Sequence, residues 1–325
     1  MTKKLILVGC GNIGSRHLQS LMKFQSALSI DVVEPNNKSK NNAVSLIKKL
    51  PIKKYPKIKW FTSIKDLTDS GDVVIVATDS VDRVKLIETL LKQGNKKFLI
   101  EKMVCQSRNE YKSLISLFKK FNANGWVNTN RRYFTAYQKI KQLFLTSKSL
   151  ELGVYLGNSG LGTSSIHFID LFCWFNNDYD IKLNGDYLFD KIYSNKRGKS
   201  FKEFAGNIVG TNKKNSFLTI STHNNQSTFP SSIVEIYDGK RHIIINELEE
   251  KLFFLSNDEN IPKLSFKFGH TSELTYKIIL DILKNKSCLL PTIEDSCYLH
   301  FELFRIFNNH IFKHLNYKVQ KCPIT

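Results

Sequence analysis

Lys3-Lys4-Leu5-Ile6-Leu7-Val8-Gly9-Cys10-Gly11-Asn12-Ile13-Gly14 opens the chain, an apolar run that breaks into three spaced glycines. The run reads as a buried strand, and the residues after it read as a helix. A G-x-G-x-x-G at such a junction has a mechanical reading. Gly9 allows a tight turn, Gly11 lets a pyrophosphate approach the backbone, and Gly14 lets the helix pack on the strand. The unpaired N–H groups at the helix start, with Asn12 and Ile13 among them, would hold the phosphates.

A second strand, Leu28-Ser29-Ile30-Asp31-Val32-Val33, ends in Glu34, 20 residues past Gly14. An acid at that point accepts hydrogen bonds from the adenosine ribose hydroxyls and repels a 2′-phosphate. This favours NAD; Lys38 and Lys40 nearby keep NADP open.

Strand and helix signals then alternate. Helices are expected over 41–50, 81–93 and 107–121, and strands over 58–61, 72–78, 97–100 and 126–129. That alternation implies a doubly wound parallel sheet, here of the Rossmann type. After it the pattern changes. Helical signals cover 131–145 and 164–175, with a glycine-spaced stretch from Gly153 to Gly162 before the second. From 201 to 256, β-rich runs are separated by turns at Asn212–Asn215, Asn224-Asn225 and Asp238-Gly239. Tight turns between strands favour an antiparallel sheet. Helices over 272–285 and 292–314 close the chain. The expected fold class is α/β: a Rossmann domain over 1–125, then an α+β domain over 126–325 with a large, mainly antiparallel sheet.

Composition excludes several classes. The chain has 325 residues, 42% hydrophobic and 24% charged, which suits a folded protein of two domains. No apolar run reaches the ~20 residues of a membrane span, and the first residues enter a strand rather than a signal peptide. Six cysteines show no C-x-x-C or zinc spacing, so free thiols in a cytoplasmic setting and no metal are expected. His310 and His314 are four apart on the last helix but have no third ligand nearby in sequence. The net charge of +19 is carried by short lysine runs without a nucleic-acid motif, so a nucleic-acid partner is not expected.

Five segments in order resemble the Gfo/Idh/MocA family of oxidoreductases (glucose–fructose oxidoreductase and inositol dehydrogenase): Gly9 to His17, Ala77-Thr78-Asp79, Glu101-Lys102, Asn130-Arg131-Arg132-Tyr133, and Gly160 to Asp170. The resemblance covers nearly the whole chain. It implies an NAD(P)-dependent dehydrogenase acting on a sugar, a sugar derivative or a cyclitol, assembled as a homo-oligomer through the C-terminal sheet. It makes Lys102 and His167 the catalytic pair. Thr78 and Glu101 join the cofactor site; Asp170, Thr163, Arg131 and Tyr155 line the substrate side. The chain departs from the family twice. Met103 replaces the Pro after Lys102, and Thr163 replaces an Asp four residues before His167. Ser164, Ser165 and Asp170 stand nearest in sequence to compensate. The second departure leaves open a non-catalytic NAD(P)-binding sensor or regulator of the same fold.

Overall fold

The computed structural model describes residues 3–52, 54–223, 230–255, 267, 271–284 and 288–325. The chain forms two units. Unit 1 is Met1–Cys105, Asn109–Tyr133 and Gly269–Glu294; unit 2 is Gln106–Arg108, Phe134–Phe268 and Asp295–Thr325.

In unit 1 the elements alternate: β1 (Lys3–Val8), α1 (Asn12–Leu21), β2 (Leu28–Val33), α2 (Asn37–Lys48), β3 (Lys57–Phe61), β4 (Val73–Val76), α3 (Arg83–Lys92), β5 (Lys97–Ile100), α4 (Arg108–Lys120) and β6 (Asn124–Val127). All six strands pair in parallel in the order β3-β2-β1-β4-β5-β6. This is a doubly wound sheet whose order reverses between β1 and β4. Leu5 to Val8 and Val73 to Val76 are buried throughout, as a strand covered on both faces requires.

Unit 2 contains α5 (Thr135–Leu143), β7 (Glu151–Gly157), α6 (Leu161–Asn176), β8 (Ile181–Asn184), a hairpin of β9 (Tyr193–Asn195) and β10 (Gly198–Glu203), and then β11 (Gly206–Asn212), β12 (Phe217–Thr222), β13 (Ser231–Tyr237), β14 (His242–Asn246) and β15 (Lys251–Leu255). Seven of its strands form one sheet in the order β15-β14-β13-β7-β12-β11-β8. All its neighbours are antiparallel except β7 and β12. The turns at Asn215 and Gly239 use positive φ angles of 57° and 87°. The Asn224-Asn225 turn, residue 256 and the expected helix end at Asn285 lie outside the described residues. Two helices follow, α7 (Thr271–Leu283) in unit 1 and α8 (Ile293–Leu315) largely in unit 2.

Two features differ from the sequence reading. The glycine-spaced stretch starting at Gly153 is the middle strand β7, because Leu152, Val154 and Leu156 alternate onto the buried face. Unit 1 also extends beyond a cut at residue 125. β6 completes the parallel ladder, pairing Ile100 with Val127. The segment from α7 onward returns to the sheet. Tyr276 N–H donates to Ser20 Oγ at 2.9 Å, and Val127 N–H donates to the Pro291 carbonyl at 3.0 Å. These contacts join residues more than 150 apart in sequence, so no local signal marks them.

Position in the sheet sets what a side chain is worth. Leu7, fully buried on β1, should cost about 2–5 kcal/mol when changed to Ala. Leu255, 54% exposed on the edge strand β15, should change stability by less than about 0.5 kcal/mol. Urea unfolding of the two variants checks the contrast.

Candidate functional site

The glycine loop is built by close backbone contacts. Gly9 adopts φ +85°, and a Cβ there would lie 3.0 Å from the Ala77 carbonyl carbon and the Thr78 nitrogen. A Cβ on Gly14 would lie 2.0 Å from the Gly9 oxygen. Gly11, the N-cap of α1, is different: a Cβ there would meet nothing within 4 Å. The space above it belongs to a cavity of ≈ 260 Å³ lined by Cys10, Gly11, Asn12, Ser15, Ser39 and Asn42, among others. Amides at a helix start beside an open polar hollow fit a pyrophosphate.

Glu34 ends β2 and is only 8% exposed. Its Oε2 accepts the Cys10 N–H at 2.6 Å and its Oε1 accepts the Asn36 N–H at 2.9 Å. Each carboxylate oxygen has a second lone pair, so the group can still accept ribose hydroxyls. Burial, and the negative charge of Glu34 beside it, push the Cys10 thiol up to about 12, which keeps it neutral. Lys40 packs over the Trp60 ring at 5.5 Å from its centre, and Lys38 is exposed.

At the carboxyl end of β5 the structure brings together residues that motif spacing did not connect. Glu101 Oε1 meets His17 Nε2 at 2.9 Å and accepts from Asn128 Nδ2 at 2.5 Å. The other nitrogen of His17 lies 2.8 Å from Thr275 Oγ1 on α7. Lys102 follows, 6% exposed. Met103 occupies the family's Pro position, and the Lys102–Met103 peptide is cis. Arg83, 1% exposed, donates from one guanidinium to the carbonyls of Thr78, Glu101 and Met103. It therefore ties the loop after β4 to the turn that carries Lys102. Arg83, Asn128 and Thr275 escaped the sequence reading, since no local pattern announces pairings this distant. The final His of the Gly9-to-His17 segment was the one available signal.

In unit 2, Thr163 and His167 lie four apart on α6, hence on one face. His167 is half-buried, while Asp170 is fully buried. Glu203 of β10, 3% exposed, reaches the first turn of this helix. Its Oε1 accepts the Thr163 N–H at 3.1 Å and its Oε2 the Thr163 hydroxyl at 2.5 Å. Arg131 lies half-buried in a 3₁₀ turn of unit 1. Tyr155, expected on the substrate side, lies on β7. Strand alternation gives Val154 and Leu156 the buried face, so Tyr155 stands 49% exposed on the other face. There it lines a hollow with Glu151, Phe217, Glu235 and Tyr237. His314 lies 3.6 Å from Asp190. Among the described residues, no group of three or more His, Cys, Asp or Glu is placed to hold a metal ion, and no helix is long and apolar enough to cross a membrane.

The Glu101 cluster makes a pH-dependent contribution to stability. Burial raises the carboxyl's pKa, but hydrogen bonds from His17 and Asn128 and the nearby positive charge outweigh it, bringing the value from 4.5 to about 2. A depressed carboxyl stabilises fully above its ordinary value, and this is lost as the pH falls through the folded one. The stability margin of wild type over Glu101→Gln, measured by urea unfolding, should be full at neutral pH and shrink below about 4.5. A margin that does not change with pH would remove the charge from this account.

Residues 3–129 match the family described as "Oxidoreductase family, NAD-binding Rossmann fold" (GFO_IDH_MocA). No curated protein matches the chain by sequence. Among solved structures, UDP-N-acetylglucosamine 3-dehydrogenase GnnA from Acidithiobacillus ferrooxidans is 14% identical with TM-score 0.68, over 94% of this chain and 97% of that one. Scyllo-inositol dehydrogenase from Lactobacillus casei, with NAD(H) and scyllo-inositol, is 18% identical with TM-score 0.67, over 95% and 98%. A super-repressor mutant of Gal80p from Saccharomyces cerevisiae is 13% identical with TM-score 0.70, over 96% and 97%. The chain shares their fold, and its residues 3–129 are similar to the NAD-binding Rossmann domain of the Gfo/Idh/MocA oxidoreductase family.

Proposed function

We propose that the chain is an NAD-dependent dehydrogenase or reductase acting on a CH–OH or C=O group of a sugar, a sugar derivative (nucleotide-linked ones included) or a cyclitol. The observation that carries this reading is the buried Lys102. A lysine kept for solubility is rarely 6% exposed. This one follows Glu101, which is bonded by His17 and Asn128, and its turn is tied by Arg83 through the flanking carbonyls. It ends a parallel strand, at the edge of the sheet where ligands bind in open α/β folds.

When bound, NAD supplies the carbon that takes or returns a hydride. Gly9, Gly11 and Gly14 would hold its pyrophosphate and Glu34 its ribose. Lys102 donates a hydrogen bond to the substrate oxygen and steadies negative charge as it develops there. His167 takes the hydroxyl proton in oxidation and gives it back in reduction, a task suited to an imidazole. Arg131 is a candidate contact for the substrate's other polar groups. The relatives described above favour polyhydroxylated substrates, since their names include a nucleotide sugar and an inositol.

A second reading, a non-catalytic NAD-binding regulator, draws on the likeness to Gal80p and on Thr163. Nicotinamide absorbance across a panel of sugars, nucleotide sugars and cyclitols separates the two. The dehydrogenase reading expects turnover, with Lys102→Ala and His167→Ala each lowering kcat by about 10²–10⁴ while NAD still binds. Variants that turn over like wild type would refute these roles, and NAD binding without turnover across the panel would favour the regulator.

Gly11→Ala tests the cofactor site by itself. Its added methyl meets no protein atom, so the melting temperature should hold. NAD affinity, by calorimetry, should fall about tenfold or more, because the methyl intrudes where the pyrophosphate approaches. Unchanged affinity would place the pyrophosphate elsewhere.

A further inference from the structure

The start of α6 is shaped around a side chain from another element. A Cβ on Gly160 would lie 1.9 Å from Glu203 Cγ, and one on Gly162 would lie 2.7 Å from Glu203 Oε1. The two glycines clear the space that the Glu203 carboxylate fills. Beyond its two bonds to Thr163, the carboxylate accepts from Asn195 Nδ2 at 2.9 Å, and the same Asn195 group donates to Thr163 Oγ1 at 2.9 Å. Capping a helix does not require this arrangement. A Ser, Asn or Asp at the cap position serves as well and stays near water. Burying a carboxylate is costly unless donors compensate it. Here donors and the helix N-terminus both favour its charged form.

We infer that Glu203 is a positioning residue for His167. Held on Thr163, it places a negative charge one helical turn before the imidazole and favours the protonated ring, standing in for a carboxylate on the helix itself. The inference rests on the reading of His167 as the proton carrier. Residues four apart are separated by about 6 Å along the helix axis, and Glu203, itself buried, lies where little water screens its charge.

Among the described residues, the charges on the elements beside α6 are these; exposed Arg197, in the β9–β10 turn next to Asn195, donates to the Thr325 hydroxyl. β10 and β12 pack on it. β12 has no ionisable side chain. On β10, Lys199 is exposed and Lys202 points to the opposite side of the strand from Glu203. Ile324, against Gly162, adds none. Lys141 and Lys214 reach only the far end of α6, at the carbonyls of Trp174 and Asn176. Asp170 lies on α6 itself, one turn beyond His167.

The test is an NMR titration of the His167 ring in the full chain. Glu203→Gln should lower the midpoint by about one pH unit. Moving the charge, in Thr163→Asp/Glu203→Gln, should restore it. The neutral counterpart, Thr163→Asn/Glu203→Gln, has the same shape at position 163 without the charge and should leave the midpoint low. A wild-type midpoint in folded Glu203→Gln, or equal midpoints in the two double variants, would overturn the inference. If Glu203→Gln fails to fold, the two double variants, which differ only in the charge at position 163, decide the matter. This readout needs no turnover. Absence of turnover would count against the dehydrogenase reading, and an unmoved midpoint against Glu203 alone.

Discussion

The approach of Gly14 to the Gly9 carbonyl fixes how α1 leaves β1. With 2.0 Å between that oxygen and any added Cβ, no other residue allows the helix to start there. Gly9 is held in turn against the backbone of Ala77 and Thr78 at the end of β4, its neighbour in the sheet. Two contacts thus lock the first turn to the point where strand order reverses. Because all six strands run the same way, their carboxyl ends share one edge. Glu34, Thr78, Glu101 and Asn128 follow β2, β4, β5 and β6, so they lie along that edge for the same topological reason.

What the topology places there, buried polar bonding makes rigid. Burying Glu101 and Lys102 side by side would be unfavourable without compensation. His17 answers from α1, Asn128 from the end of β6, and Thr275 supports His17 from α7. Arg83 binds backbone instead, gripping carbonyls on both sides of Lys102 as well as Thr78. The turn that lacks its proline is therefore held by side chains contributed from outside it. Each of these side chains has at least one buried partner, so removing one leaves another buried and unsatisfied.

The parts legible in the sequence are those whose cause is local. Three glycines against a strand, an acid at the end of the next strand, and runs such as Val73 to Val76 announce themselves, because the constraint acts within a few residues. The illegible parts depend on distance. His17 and Glu101 are 84 residues apart, and His17 and Thr275 are 258 apart. Glu203 sits in a β-strand with no motif around it, 40 residues from the threonine it binds. Sequence proximity pointed to Ser164, Ser165 or Asp170 as the source of a compensating group for Thr163, whereas the folded chain brings one from the β9–β10 hairpin. Tyr155 shows a subtler limit: glycine spacing does not say which face it takes, and only its place in β7 decides that.

Local charge, rather than net charge, governs the cofactor end of the site. A protein of +19 would be expected to welcome a 2′-phosphate, yet exposed charges act over only about 8 Å at physiological salt. Within that range the decisive group is Glu34. It is held by the Cys10 and Asn36 amides, which are neutral donors, rather than paired with a cation, as the proposed ribose contact requires. Of the two lysines nearby in sequence, Lys40 lies over the Trp60 ring and Lys38 is exposed. Burial then sharpens the discrimination. A ribose hydroxyl can donate to the carboxylate, whereas a phosphate would meet it in a setting with little water to screen the repulsion. On the proposed reading, the preference for NAD follows from how Glu34 is held, and adding or removing lysines elsewhere on the surface would leave it in place.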